Sequence, residues 1–554
     1  MVALGAAFAI VVGVVVVAAQ PRADAATIPA GFTDSLVGSV PGPTALAFTP
    51  DGRMLVTTKA GQVFVARGGV IAGSSALDLS ARVCTGSERG LLGIAVDPAF
   101  TTNQSIYLYY TAENSAGACP TLDTAWPVNR VARFVLGTND VIDPNSEVVL
   151  FDRIPSVAGN HNAGDLTFGP DGMLYVSVGD SGCDYANFGS CAGSNDAARD
   201  KNVALGKILR ISPVDGTAPS DNPFFGPQNP CRDDGFTTAG SHCPETFAWG
   251  LRNPFRMAFA PDGRLYANDV GQGAWEEVDD IRSGADYGWN LREGKCVNGS
   301  TTNCPAPPSN LTDPILAYGR GDGCRSITGG AFAPASWPEP HRGDYLFADY
   351  ACGKVFRLEG TTRVDFATGL GSNSAVHLEI GPDDALYYTT FAGGGQVRKI
   401  APESTAPPPP GEVFVSDRSP VSASNGFGPV ERDMSNGGAA AGDGGPLRLN
   451  GVTSAKGLGV HAASTVTYAL GGGFRSFLAD VGVDDECGTA GSVVFRVLVN
   501  GVKRFDSSTM TAVSATKPVV VDVTGATQLT LTVTNAGDGS SCDHADWANA
   551  RLLS

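Results

Sequence analysis

One phrase recurs along most of this chain: an apolar strand, a Pro-Asp-Gly turn, and a second apolar strand. It reads ALAFTPDGRMLVTT at 45–58, GDLTFGPDGMLYVSVGD at 164–180 and RMAFAPDGRLYANDVG at 256–271. Looser copies are LLGIAVDPAFTTNQSIYLYYT at 91–111, GGAFAPASWPEPHRGDYLFADY at 329–350 and LEIGPDDALYYTT at 378–390. Proline presets φ and glycine accepts a positive φ, so each copy predicts a tight turn between two strands. The flanks are apolar or alternating and rich in β-branched and aromatic residues. Six such hairpins, about 50 to 90 residues apart, predict a six-bladed β-propeller. Radial stacking then buries faces that one hairpin leaves open.

The rest of the chain divides around this repeat. Residues 1–25 open with an almost wholly apolar run and close on Ala23-Asp24-Ala25, which reads as a secretory signal cut before Ala26. An uncleaved anchor is the alternative, and no later segment is apolar enough to span a membrane. The propeller is expected over 27–401, followed by a proline-rich linker at 402–411. From 412 to 554 the strands alternate, as in SVVFRVLVNG and TQLTLTVTNAG, and predict a jelly-roll-like β-sandwich. The fold class is therefore all-β.

Charge and cysteine content narrow the setting. The formal net charge is −18 with no basic cluster, so nucleic acid is not an expected partner. Twelve cysteines in an exported chain predict a disulfide framework and a secreted protein. Spacing favours Cys84 with Cys119, Cys183 with Cys191, Cys231 with Cys243, Cys296 with Cys304, Cys324 with Cys352 and Cys487 with Cys542.

Loops at one end of a propeller converge on its channel, so polar residues just before buried strands are the candidate chemistry. SERGLLGI at 87–94 offers Glu88 and Arg89, GNHNAGDL at 159–166 offers His161, and AWGLRNPFRMAF at 248–259 offers Arg252 and Asn253. A histidine can take a proton from a sugar hydroxyl, and Glu88 or Asp180 can orient it or bind the sugar. Arg252 presents a planar fork for an anionic carboxylate. Glu276, Glu277 and Asp286 around the glycine-rich turn of NDVGQGAWEEVDDI offer the oxygens that calcium prefers. Each has a plainer reading: a hydrogen-bonding histidine, a loop-capping arginine, solvated acids.

Taken together, SERGLLGIAVDPAF, NHNAGDLTFGPDGMLYVSVGDSG, WGLRNPFRMAF and DVGQGAWEEVD with DYGWN resemble the glucose/sorbosone dehydrogenase family. That family comprises six-bladed propellers, including soluble pyrroloquinoline-quinone (PQQ) sugar dehydrogenases and Hedgehog-interacting-protein-like proteins. The resemblance implies that His161 is the catalytic base, with Glu88 and Asp180 beside it, and that Arg252 and Asn253 contact the quinone. It places the carbonyls of Gly271 and Gln272 on a cofactor calcium, and Glu277 and Tyr287 at a second, structural calcium. The implied reaction oxidises an aldose to its lactone and passes electrons to an external acceptor. A family lysine on the strand matching YLFADYACGKVFRL, where this chain has Ala351 or Cys352, and two arginines before the last repeat are missing here, with Lys354 or Arg325 as candidate substitutes. DVGQ leans toward the Hedgehog-interacting-protein-like branch.

The C-terminal motifs GGPLRLNG, KGLGVHAASTVTYAL, FLADVGVDDE and DHADWANARLL resemble the NPCBM carbohydrate-binding modules, implying a sugar or polysaccharide partner. His461 and Asp546-Trp547 fall in them without an assigned role. The expected function is thus a secreted, PQQ- and calcium-dependent sugar dehydrogenase tethered to carbohydrate. The alternatives are a non-catalytic glycan- or protein-binding propeller and, behind it, a glycoside hydrolase with Glu88 and Asp180 as its carboxylate pair.

Overall fold

The computed structural model describes residues 26–67, 69–114, 117–186, 190–403, 411–471 and 473–554, the Cys487 side chain excepted. The expected signal at 1–25, most of the linker and the Cys487–Cys542 pairing lie outside the described residues.

The repeated phrase folds as hairpins. In 164–180 the strand Leu166–Phe168 pairs with Leu174–Val178, with Phe168 opposite Leu174. The turn between them closes with Gly169 N–H donating to Met173 O at 2.9 Å and Gly172 N–H to Gly169 O at 2.9 Å. Gly172 supplies the positive φ of 75° that this turn requires. The looser copy at 378–390 makes the same two bonds, Gly381 to Ala385 and Asp384 to Gly381, with Asp384 at φ 58°. Aspartate tolerates the left-handed region better than most side chains, so the turn survives without glycine.

Six antiparallel sheets follow one another as blades, led by inner strands Pro43–Phe48, Leu91–Val96, Leu166–Phe168, Pro254–Phe259, Ile327–Phe332 and Ser374–Ile380. The ring closes because the early strand Phe32–Ser39 pairs with Gln396–Pro402 and completes the last blade. Each pair of neighbouring blades traps its own apolar cluster. Phe32, Trp337 and Phe366 anchor one, and Tyr107, Tyr109 and Phe151 another. Sheet-on-sheet burial of this kind holds the blades in a ring.

Among the described residues five disulfides form, all in the propeller: Cys84–Cys119, Cys183–Cys191, Cys231–Cys243, Cys296–Cys304 and Cys324–Cys352. Beyond the linker, two six-stranded antiparallel sheets enclose Trp547, Phe477 and Phe495 in a single apolar core. Among the described residues no helix is long and apolar enough to cross a membrane.

The topology fixes where functional groups gather. The start of each inner strand pairs with the end of the second strand, as in Pro254 with Asp269 and Leu91 with Tyr110. Loops entering inner strands and loops leaving second strands therefore emerge at the same end of the channel.

Candidate active site

His161 sits in the loop entering the third blade, with φ 53° and 6% exposure. Its backbone N–H donates to Glu88 Oε2 at 2.7 Å, and Glu88 N–H donates to Gly159 O at 3.0 Å. Glu88 thus holds the main chain of His161 and makes no bond to the imidazole. Orientation of the ring falls to Asp180, whose Oδ1 lies 2.6 Å from Nδ1. The fully buried Asp180 also accepts from Gly182 N–H at 2.9 Å on Oδ1 and from Trp289 Nε1–H at 2.8 Å on Oδ2. Burial alone would raise this carboxyl. The charge and hydrogen bond of His161, with Arg252 and the Gly182 N–H, hold it below the ordinary carboxylate range instead.

Arg252 completes the arrangement from the fourth blade. Its Nη2 lies 2.9 Å from His161 Nε2, and guanidinium nitrogens only donate. Asp180 accepts at Nδ1, so the proton resides there and Nε2 carries the lone pair. The same guanidinium donates from Nη1 to Val270 O at 2.7 Å and from Nη2 to Gln272 Oε1 at 2.7 Å, with Trp289 beneath it. Asp269 anchors the Arg252–Asn253 turn, accepting from Arg252 N–H at 2.8 Å and Asn253 N–H at 2.5 Å. Asn253 Oδ1 accepts from Ala163 N–H at 3.0 Å, which ties the arginine turn to the histidine loop. His161, Arg252, Gln272, Asn160 and the Cys183–Cys191 disulfide line a cavity of about 260 Å³.

The second-to-third strand loop of the same blade carries Gly271 and Gln272, whose carbonyls are expected on the cofactor calcium. Gly271 has no alternative there, since a Cβ would lie 1.6 Å from Trp275 O. Glu293, which the sequence reading did not single out, accepts from the N–H groups of Gly273, Ala274 and Trp275 at 2.7, 2.8 and 3.0 Å. The carbonyls of Gly271 and Gln272 face a cation, but it is Arg320, at 2.8 Å from Nη2 and 3.1 Å from Nη1. Arg320 Nε also donates to Glu276 Oε1 at 2.9 Å. Glu276 is therefore an ion-pair partner, although burial pushes it up to about 7 against the pull of Arg320.

Glu277 lies on the other face of that strand, with Asp279. Burial, then the Asp279 and Asp269 carboxylates, push Glu277 well up, and burial, then Asp269, does the same to Asp279. Both Asp279 oxygens are buried without a hydrogen-bond partner among the described residues. The Tyr287 hydroxyl is engaged instead with Asp280 O at 2.6 Å and Arg282 N–H at 2.9 Å. Asp286 pairs with Arg199, 2.7 Å from Nη2 to Oδ2, and is no part of an oxygen shell. Arg89 is a buried staple, donating to Ser156 Oγ and Pro120 O at 3.0 and 2.9 Å. Lys354 pairs with Asp365 at 3.0 Å on the outer strands of the fifth blade, and exposed Arg325 makes no ion pair among the described residues.

The fold and this loop cluster define a six-bladed propeller with a histidine–aspartate–arginine site at one end of its channel. The family model for glucose/sorbosone dehydrogenase matches residues 40–399, and the NPCBM/NEW2 domain matches 411–553. The chain belongs to the glucose/sorbosone dehydrogenase family. It is 27% identical over 379 residues to the aldose sugar dehydrogenase YliI of Escherichia coli, covering 65% of this chain and 90% of that one. Identity to quinoprotein glucose dehydrogenase B of Acinetobacter calcoaceticus is 29% over 210 residues, covering 36% and 40%. A Thermus thermophilus structure, of an oxidoreductase named as a glucose dehydrogenase, superposes with TM-score 0.51. That match has 28% identity and covers 67% of this chain and all of that one. The chain spans 10%, 34% and 50% of the lengths of three further curated relatives.

Proposed function

We propose that the protein is a secreted sugar dehydrogenase that oxidises an aldose to its lactone, with His161 as the base that takes the hydroxyl proton. The observation that carries this is the His161 imidazole in the cavity, its Nδ1–H fixed on Asp180 and its Nε2 lone pair directed at Arg252. Asp180 holds the tautomer and stabilises the imidazolium formed when Nε2 accepts the proton. Glu88 positions the loop through the His161 N–H.

PQQ, when bound, would supply the hydride acceptor, and the word quinoprotein in the Acinetobacter relative's name supports that assignment. The donor set suits an anionic quinone: Arg252 would hold a carboxylate, with Asn253 behind it in the same turn. Drawing Arg252 onto such an anion would free Nε2 for the substrate. A structural calcium suits the buried, unpartnered Asp279 together with Glu277. A cofactor calcium on Gly271 and Gln272 does not suit this site, because Arg320 already takes both carbonyls. The hydrolase reading is disfavoured because both Asp180 oxygens are committed inside the protein.

In this reading residues 27–401 carry the chemistry, 402–411 tether, and 412–554 bind carbohydrate, as the NPCBM/NEW2 match supports. The five disulfides support an oxidising, extracellular setting. The test is dye reduction by the purified chain with PQQ across a panel of aldoses. Wild-type turnover abolished by His161→Ala, at unchanged thermal stability, is the expected result. No turnover and no PQQ binding would refute it and leave a non-catalytic propeller.

A further inference from the structure

Arg320 stands between the outer strand Leu316–Gly319 of the fourth blade and the inner strand Ile327–Phe332 of the fifth. Its guanidinium meets three oxygens: Gly271 O, Gln272 O and Glu276 Oε1. Two main-chain carbonyls and a carboxylate are the hard-oxygen set that a calcium ion takes from a protein. Here the set is saturated from within the chain. Glu276 is 0% exposed and its second oxygen accepts from Ile327 N–H at 3.0 Å, so it is locked in this pairing.

The neighbouring acceptors on the same loop are filled in the same way. Arg252 takes Val270 O and Gln272 Oε1, so the carbonyls of residues 270–272 all face one of two guanidinium groups. An arginine stays charged at any working pH and is covalently retained, whereas a bound metal exchanges. A divalent ion on the same carbonyls would have to displace Arg320 and would leave that charge beside it.

We infer that Arg320 is a built-in replacement for an exchangeable metal at the Gly271–Gln272 loop. The oxygens of Gly271, Gln272 and Glu276 hold its guanidinium in place of a divalent cation. A carboxylate-bearing ligand in the adjoining cavity, which Arg252 lines, then binds to Arg252 without metal. The ligand half of this inference rests on the proposed quinone reading; the metal half does not.

The test has two arms on the full chain stripped with EDTA. The first counts Ca²⁺ bound per chain by equilibrium dialysis, for wild type and Arg320→Ala. Removing the guanidinium bares three oxygens, so Arg320→Ala should bind one more Ca²⁺ than wild type; equal counts overturn the inference. Should Arg320→Ala not fold, Arg320→Gln carries the same comparison without a charge. The second arm measures PQQ affinity for wild type in EDTA and in Ca²⁺. The expected ratio is within about twofold, and a tightening of tenfold or more by Ca²⁺ overturns metal independence. If PQQ binds in neither condition while Arg320→Ala gains its ion, the metal replacement stands and the quinone reading falls.

Discussion

Replacing Asp180 by asparagine removes one charge and one acceptor from a carboxylate that three N–H donors share. His161 Nδ1–H and Gly182 N–H meet Oδ1 at 2.6 and 2.9 Å, and Trp289 Nε1–H meets Oδ2 at 2.8 Å. An amide has a single acceptor oxygen, so its NH₂ must face one of these donors. If the oxygen stays with Trp289, the NH₂ turns to His161 and favours the tautomer protonated at Nε2, which removes the base. If it stays with His161, the indole N–H is left unpaired and the imidazolium loses its counter-charge. Either way a buried donor is orphaned, at a cost of about 1–3 kcal/mol in stability. Where an aspartate holds a general-base histidine, this exchange costs about 10⁴-fold in rate, or about 5.5 kcal/mol of barrier. The assay is steady-state dye reduction by PQQ-loaded Asp180→Asn, run beside urea unfolding and an NMR assignment of the His161 tautomer. A folded variant that retains more than about a tenth of wild-type kcat would refute the reasoning, since one decade is only about 1.4 kcal/mol.

Glu293→Ala should destabilise the propeller by about 3 kcal/mol in urea, because the amides of Gly273, Ala274 and Trp275 lose a shared anionic acceptor. A change below about 0.5 kcal/mol would show that other contacts hold the loop. In the C-terminal sandwich, the Glu486 hydrogen bond raises His544 above its ordinary 6.5. That contribution is fully present below the unfolded value and is lost as pH rises through the raised one. With the pair partly exposed it amounts to on the order of 0.5 kcal/mol, read as a pH-dependent shift of the sandwich's urea midpoint that Glu486→Gln removes.

How much of this was legible in the chain follows from sequence distance. The hairpins are local, since a turn such as 169–173 closes through its own backbone hydrogen bonds, and so the blades could be read directly. His161, Asp180 and Arg252 were legible for a related reason: each lies beside a strand end that the repeat announces. Their roles were less legible. Glu88 was offered as a partner for the imidazole, yet it binds the backbone of a residue 73 positions away, and no local pattern distinguishes the two. Arg320 escaped entirely, because its partners Gly271 and Gln272 lie 49 and 48 positions back in a different blade connection. The rule that found Arg252 applies to it equally: it precedes an inner strand, in the segment LAYGRGDG, at the end where second-strand loops emerge. For the family lysine and two arginines that this chain lacks, the sequence offers Lys354 or Arg325 as substitutes, yet Lys354 pairs with Asp365. The structure places the new charge on the loop where a metal was expected. The Gly271 and Gln272 carbonyls, read from the sequence as metal ligands, are thus met by a guanidinium of the chain's own, from a connection that no local pattern ties to them.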